Sequence, residues 1–145
     1  MRVSGGFTVI ELLIVMAILA LLLASVPFAM TSFQESRSMD TAVQSTMQSL
    51  RRAQVLSQAV DGDETWGVYL QSGSVIVFQG ASYVARDSAF DEVLEFSDSI
   101  QVSGVTEVIF EKLTGEPNAT GDILFESNTR IQTLTIFETG ALQYE

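Results

Sequence analysis

The chain has 145 residues, which suits one domain with an added segment, and its 7 basic and 18 acidic residues give a net charge of -11. It contains no histidine and no cysteine. Their absence excludes a Ser-His or Cys-His nucleophile pair, a zinc site of Cys and His, and a disulfide framework. An acidic surface also repels phosphate, which disfavours nucleic acid as a partner. We predict a protein without enzymatic activity or cofactor.

The charges are unevenly distributed along the chain. Residues 1–60 hold four basic and three acidic residues, for a net charge of +1. Residues 61–145 hold three basic and fifteen acidic residues, for a net charge of -12. The sequence therefore consists of an apolar, nearly neutral front and an acidic back.

Residues 7–30 (FTVIELLIVMAILALLLASVPFAM) form a 24-residue apolar stretch with one ionisable group, Glu11. As a helix this stretch would rise about 36 Å, enough to cross a hydrocarbon core of about 30 Å. A cleaved secretory signal is one interpretation, but the stretch after Ala24 is a poor cleavage site. A plain membrane anchor is a second, but it leaves Glu11 unexplained.

A third interpretation accounts for Glu11, because a carboxylate in hydrocarbon is costly unless it is paired or protonated. Cleavage between Gly6 and Phe7 would create an α-ammonium one helical turn from Glu11. That group could pair with the carboxylate in the same chain or in a neighbouring subunit. The preceding MRVSGG is short and polar, and Arg2 would hold it on the cytoplasmic side.

Residues 6–11 (GFTVIE), followed by LLIVMAILALL, resemble the prepilin signature shared by type IV pilins and type II secretion pseudopilins. The resemblance implies that a membrane-embedded prepilin peptidase cuts after Gly6 and methylates the amine of Phe7. It also implies that Glu11 serves subunit docking and register in a helical filament. Val9 stands where leucine is commonest in the family.

Pro27 falls where family members often carry a helix-weakening proline. A proline removes one helical hydrogen bond and clashes with the preceding turn, which predicts a kink. A kink would let a filament stretch or curve. The alternative is that Pro27 only marks the membrane exit.

Residues 31–60 continue with helical periodicity and contain no glycine or proline. Apolar residues recur every three or four positions, which predicts an amphipathic helix over about 32–60 with its stripe under a sheet. The stripe comprises Met39, Val43, Met47, Leu50, Ala53, Leu56 and Val60. Arg51 and Arg52 either pair with acidic residues of a neighbouring subunit or lie on a solvated face.

The sequence period changes to two after residue 63, which indicates short strands. The predicted strands span residues 65–71, 74–79, 93–96, 100–103, 107–111, 122–126, 133–137 and 141–144, with Ser72-Gly73 as a hairpin turn. Together they predict an α+β fold, a pilin-like ladle in which a long N-terminal helix packs on an antiparallel β-sheet head. The predicted segments are a leader (1–6), a transmembrane assembly helix (7–30), an amphipathic helix (31–60) and an acidic β-rich head (61–145).

The back of the chain, from about Leu94 onward, resembles the GspH/FimT-like minor pseudopilins and minor pilins. The likeness lies in a strand followed by FEKLTGEP (110–117), then GDILF (121–125), a closing strand and the turn at Gly140. The chain lacks the basic C-terminal region of some relatives and the C-terminal cysteine pair of many pilins.

Two other features of the head are candidate sites. Asp61, Asp63 and Glu64 could contribute calcium ligands, but they lack the length and terminal Glu of an EF-hand loop, so we predict an acidic turn and no metal. Trp66 and Tyr69 have opposite parity along one strand and should face opposite sides of the sheet. At most one of them belongs to the core, and the other either contacts a partner or is a surface aromatic without a role.

These observations predict a non-enzymatic, minor subunit of a type IV pilus or type II secretion pseudopilus. Its expected partners are the prepilin peptidase, other pilin or pseudopilin subunits, the inner-membrane assembly platform and membrane lipid. We expect a single pass through the bacterial inner membrane with the head outside, and then a place in the filament. The alternatives are a tip subunit that recognises a surface, cargo or DNA, and an anchored domain that never polymerises.

Overall fold

The computed structural model describes residues 6–145, and it describes side chains for residues 6–24 and 35–145. The chain divides into two compact units, Met1–Glu35 and Ser36–Glu145. The first contains the beginning of helix α1, and the second contains the rest of that helix and every described strand.

Helix α1 spans Val9–Gln58. In the second unit its buried face carries the predicted apolar stripe, with Met39, Val43, Leu50 and Ala53 nearly inaccessible to solvent. The helix ends two residues before Val60, which adopts a left-handed conformation with φ of 54°. Val60 therefore belongs to the turn after the helix, and the predicted end near residue 60 is two residues too late.

Residues 6–145 contain eight strands, which form two antiparallel four-stranded sheets. Their bounds are β1 Trp66–Gln71, β2 Ser74–Gln79, β3 Asp87–Glu95, β4 Gln101–Gly104, β5 Glu107–Phe110, β6 Gly121–Glu126, β7 Ile131–Ile136 and β8 Leu142–Tyr144. The first sheet has the order β3-β2-β1-β5, and the second has the order β4-β6-β7-β8. The predicted α+β class is confirmed, and every predicted strand overlaps an observed one.

The hairpin predicted at Ser72-Gly73 joins β1 and β2, which pair from Trp66–Gln79 to Gln71–Ser74. Gly73 has a φ of 88°, a left-handed conformation that residues with a side chain rarely adopt. Strand β2 lies between β1 and β3, and it is buried at every position.

Strand β3 is longer than predicted because it begins at Asp87 and not at Val93. Its pairing with β2 jumps from Val77–Glu92 to Gln79–Asp87, which leaves residues 88–91 opposite a single residue of β2. This bulge interrupts the alternation of apolar and polar residues along β3. The period-two pattern is therefore visible in the sequence only from residue 93 onward.

One core joins the second part of α1 to both sheets. The first sheet contributes Val68, Val77 and Phe110, and the second contributes Phe125 and Leu134, all fully buried. Because the helix stripe and the inner faces of both sheets share this core, Ser36–Glu145 folds as one compact unit.

Candidate functional site: the first turns of the N-terminal helix

The start of helix α1 is fixed by Thr8. Its Oγ1 accepts a hydrogen bond of 3.3 Å from the backbone N–H of Glu11, and its carbonyl accepts one of 3.2 Å from Leu12. Thr8 is therefore the N-cap residue, and residues 8–11 have the T-x-x-E pattern of a capping box. The carboxylate of Glu11 lies in the first helical turn, where the helix dipole favours negative charge.

The bond between Gly6 and Phe7 lies outside the helix. Residues 6–8 have no helical assignment, and Phe7 is 83% exposed. Among the described residues, apart from Gly6 itself and its chain neighbours, no atom lies within 4 Å of the position that a Cβ would occupy at Gly6. The backbone at this bond is therefore open to a macromolecule that needs an extended strand.

The helix beyond this bond presents a continuous apolar surface. Every side chain from residue 6 to residue 24 is exposed, and among them only Glu11 is ionisable. The large exposed apolar side chains in this stretch are Phe7, Val9, Ile10, Leu12, Leu13, Ile14, Val15, Met16, Ile18, Leu19, Leu21, Leu22 and Leu23. Among residues 6–24 and 35–145, no helix is long and apolar enough to cross a membrane.

Residues 1–27 match the model of the prokaryotic N-terminal methylation motif. This motif is the prepilin-type signal. The motif indicates a precursor of the type IV pilin or pseudopilin kind, and it implies processing by a prepilin peptidase and assembly with other pilins. No curated protein and no solved structure matches the chain. The two sheets are consistent with a GspH/FimT-like head, but no match supports that finer resemblance.

The other predicted site residues lie in different places. Pro27 lies among residues 25–34, outside the described side chains, so the predicted kink stays a prediction. Asp61 and Asp63 belong to a short 3₁₀ turn after α1, and Lys112 Nζ lies 3.4 Å from an oxygen of Asp63. Among residues 6–24 and 35–145, no group of three or more acidic side chains is placed to hold a metal ion. Glu64, the third candidate ligand, is exposed.

The two arginines near the C-terminal end of α1 differ from each other. Arg52 forms two hydrogen bonds of 2.5 Å with the carboxylate of Glu92 on β3, within the same chain. These hydrogen bonds and the charge of Glu92 raise the pKa of the Arg52 guanidinium. Arg51 is exposed, and no carboxylate lies within 4 Å of it among the described residues.

The two aromatic residues of β1 lie on opposite faces of the sheet. Trp66 is buried in the core, whereas Tyr69 is half-buried and stacks on Tyr83 with ring centroids 3.9 Å apart. Arg86 covers the Tyr83 ring at 3.8 Å and bonds Asp91 at 2.9 Å. Hydrogen bonding to Asp91 raises the pKa of Arg86. Tyr69 is therefore covered within its own chain.

Sequence reasoning missed two residues that organise these elements. Thr8 was identified only as part of the motif, although the T-x-x-E pattern predicts a capping box. Ser57, which is fully buried, joins the end of α1 to Trp66. No sequence pattern distinguishes Ser57 from the other serines of the helix.

Proposed function

We propose that this chain is a non-enzymatic, minor subunit of a type IV pilus or a type II secretion pseudopilus. A prepilin peptidase cuts it between Gly6 and Phe7 and methylates the new amine of Phe7. The mature N-terminal helix first resides in the inner membrane, with the β-rich head on the outer side, and then packs among other subunits. The observation that carries the proposal is the exposed apolar surface of residues 7–24, which lies within the matched motif and contains Glu11 as its one ionisable side chain.

That surface needs an apolar environment. Burial of one large aliphatic side chain contributes about 1.5–3 kcal/mol, so more than a dozen exposed ones strongly favour transfer out of water. Membrane lipid supplies this environment for the separate subunit, and neighbouring helices supply it in the filament. The inner-membrane assembly platform is the expected partner for the transfer.

Glu11 makes the packing of these helices specific. It is the only ionisable side chain between residues 6 and 24, and it lies one turn from the amine that cleavage creates. A register error would leave this carboxylate unpaired in an apolar environment, at a cost of several kcal/mol. The amine of Phe7, in the same or an adjacent subunit, is its natural partner.

The intact mass of the membrane-extracted protein, produced with and without a prepilin peptidase, tests the processing step. The expected result is the loss of residues 1–6 and the gain of one methyl group, only when the peptidase is present. Gly6→Leu should block the cut without disturbing the fold, because the space around Gly6 is open. An unchanged chain that starts at Met1 would leave a plain anchor, and a cut near Ala24 would identify a secretory signal.

Glu11→Ala tests the assembly step and distinguishes the filament subunit from an anchored domain. A filament subunit carrying Glu11→Ala should still enter the membrane but should be lost from sheared filaments. Glu11→Gln, which keeps the size of the side chain and removes its charge, separates the effect of charge from that of shape. An anchored domain that never polymerises would tolerate both substitutions.

A further inference from the structure

The two sheets of the described chain end in four edge strands, and three of these edges are protected. Strand β3 carries four acidic residues and a bulge, which disfavour the addition of a further strand. On β5, the backbone N–H and carbonyl of Ile109 both form hydrogen bonds of 2.8 Å with Asn118, which covers that edge. Strand β4 lies beside the β1–β2 hairpin, where Ser72 Oγ is 3.1 Å from Gln101 Oε1.

The fourth edge strand, β8, lacks such protection within the described chain. Its three residues, Leu142–Tyr144, carry no charge, and β7 is the one described strand that pairs with it. Glu145 exchanges backbone hydrogen bonds of 2.9 and 3.0 Å with Thr133, and bonded pairs alternate with non-bonded pairs along antiparallel strands. Leu142 and Tyr144 therefore direct their backbone N–H and C=O groups away from β7.

A groove of about 410 Å³ adjoins this edge. Helix α1, β7 and β8 line it with the residues Asp40, Val43, Gln44, Met47, Gln132 and Tyr144. Val43 is buried and Met47 packs against the core, so the floor of the groove is apolar. The Oε1 atom of Gln132 is buried and has no hydrogen-bond partner among the described residues. An occupant that supplies an N–H or O–H donor would relieve the cost of this unpaired acceptor.

The charges around the edge are mostly negative. Glu138 precedes β8 and Glu145 follows it, and both are exposed. Neither has a basic side chain within 4 Å among the described residues. Asp40, in the groove, is 55% exposed, and Arg130 Nη1 lies 3.9 Å from its carboxylate. These carboxylates favour an occupant of net positive charge.

We infer that β8 and the adjoining groove bind an extended, positively charged segment from a different subunit of the filament. The segment adds a strand to the second sheet, because the outward N–H and C=O groups of Leu142 and Tyr144 pair with an extended backbone. Its alternate side chains then face the groove. The inference rests on the proposed function, in which a minor subunit has other kinds of subunit as neighbours. A second copy is disfavoured, because residues 61–145 carry a net charge of -12.

Amide hydrogen exchange at single residues measures the added strand directly. In the detergent-solubilised full chain, the amides of Gln143 and Glu145 bond to β7 and should exchange more slowly than those of Leu142 and Tyr144. In filaments assembled with the other subunits, the amides of Leu142 and Tyr144 should slow at least about tenfold. An affinity tag on this chain allows its recovery from the quenched filaments.

Tyr144→Pro tests the same edge, because proline removes an outward N–H without breaking a hydrogen bond to β7. The share of this variant in sheared filaments should fall at least about fivefold. Tyr144→Thr is the matched control, since it also removes the aromatic ring but keeps the N–H and suits a strand. It should retain at least about half of the unaltered share. Equal unfolding midpoints, followed by Trp66 fluorescence, would show that both variants keep the fold.

Charge reversal tests the positive charge of the occupant. Glu138→Lys with Glu145→Lys should lower the share in filaments at least about threefold. The control reverses two acidic residues of another region, because Glu95 pairs with Ser74 on β2 and Asp98 lies next to Gly73. Glu95→Lys with Asp98→Lys changes the net charge by the same amount and should leave the share within about twofold.

The outcomes separate this inference from the proposed function. If the chain enters filaments while the amides of Leu142 and Tyr144 stay unprotected, or if Tyr144→Pro assembles as well as Tyr144→Thr, the edge is unused and the filament subunit stands. Protection that appears in the purified chain alone, as its concentration rises, would identify a second copy as the occupant and overturn the inference. Protection by vesicles of phosphatidylethanolamine and phosphatidylglycerol would identify lipid and overturn it too. If the unaltered chain is neither processed nor assembled, the proposed function fails, and the inference fails with it.

Discussion

The backbone N–H of Trp66 donates a hydrogen bond of 2.8 Å to Ser57 Oγ, which in turn lies 3.3 Å from the carbonyl oxygen of Trp66. One buried serine therefore ties the last turn of helix α1 to the first residue of β1. Two other buried hydroxyls on the same helix, those of Thr46 and Ser49, have no hydrogen-bond partner among the described residues. Helix α1 thus contains buried hydroxyls of two kinds: that of Ser57 stabilises the fold through its hydrogen bonds, whereas those of Thr46 and Ser49 oppose folding because they are buried without one.

Ser57→Ala should lower the free energy of unfolding by about 1–3 kcal/mol, because the N–H of Trp66 would be left buried and unpaired. The chain contains a single tryptophan, Trp66, which is itself in the core. Its fluorescence during denaturation of the detergent-solubilised full chain therefore reports the unfolding of this region directly.

Ser49→Ala is the matched control, because it removes a hydroxyl of the same size and burial that has no partner. It should leave the stability unchanged or raise it by about 1 kcal/mol, since a desolvated hydroxyl without a hydrogen bond opposes folding. Equal losses of stability in the two variants would contradict the assigned roles.

The pair between Arg52 and Glu92 should contribute little to stability despite its short bonds. The two side chains are 55% and 39% exposed, so water competes for both charges. A double-mutant cycle with Arg52→Ala and Glu92→Ala should give a coupling energy of about 0.2–1 kcal/mol. The coupling should fall further at high salt. A value of several kcal/mol would indicate that the pair is shielded from water in the assembled protein.

Much of the head could be predicted because its strands alternate regularly. In β6, Ile123 and Phe125 are buried while Asp122 and Glu126 are exposed, as the period-two pattern requires. The first half of β3 could not be predicted in this way, because its pairing depends on a bulge against β2. The division of the strands into two sheets also depends on contacts between distant residues, which periodicity does not encode.

The residues of the candidate site were easier to predict from the sequence than the pairing of charged side chains elsewhere in the chain. The residues around Gly6, Phe7 and Glu11 form a motif that is contiguous in the sequence. Their chemistry can therefore be inferred without knowledge of the fold. The different roles of Arg51 and Arg52 could not be read from the sequence, because Glu92 lies forty residues away from its partner. The interpretation that both arginines act alike is replaced by one intramolecular pair and one exposed side chain.

Thr8→Ala should weaken the first turn of α1 by about 1 kcal/mol, because the N–H of Glu11 loses its hydrogen bond to the threonine side chain. Amide hydrogen exchange at Glu11 in the detergent-solubilised full chain measures this effect. Thr8→Ser keeps an oxygen in the N-cap position and should retain most of the protection. Equal exchange in the alanine and serine variants would show that the cap does not hold this turn.

Gly140→Ala should destabilise the turn at residues 137–140 through strain in the backbone and displacement of a neighbour. Gly140 has a φ of 77°, and a Cβ at this position would lie 2.2 Å from Gln54 Nε2. The backbone strain alone costs about 1–2 kcal/mol. Gln54 must also move, and it then loses its hydrogen bonds to the carbonyls of Gly115 and Thr139.

The comparison with Gln54→Ala separates these two effects. Gln54→Ala removes the same hydrogen bonds without straining the backbone, so the two substitutions share part of their cost. The chain with both changes should therefore lose less stability than the sum of the single losses, by about 0.5–1 kcal/mol in denaturation experiments. Strict additivity would mean that Gln54 keeps its hydrogen bonds beside Ala at position 140, and that the cost of the substitution at Gly140 lies in the backbone alone.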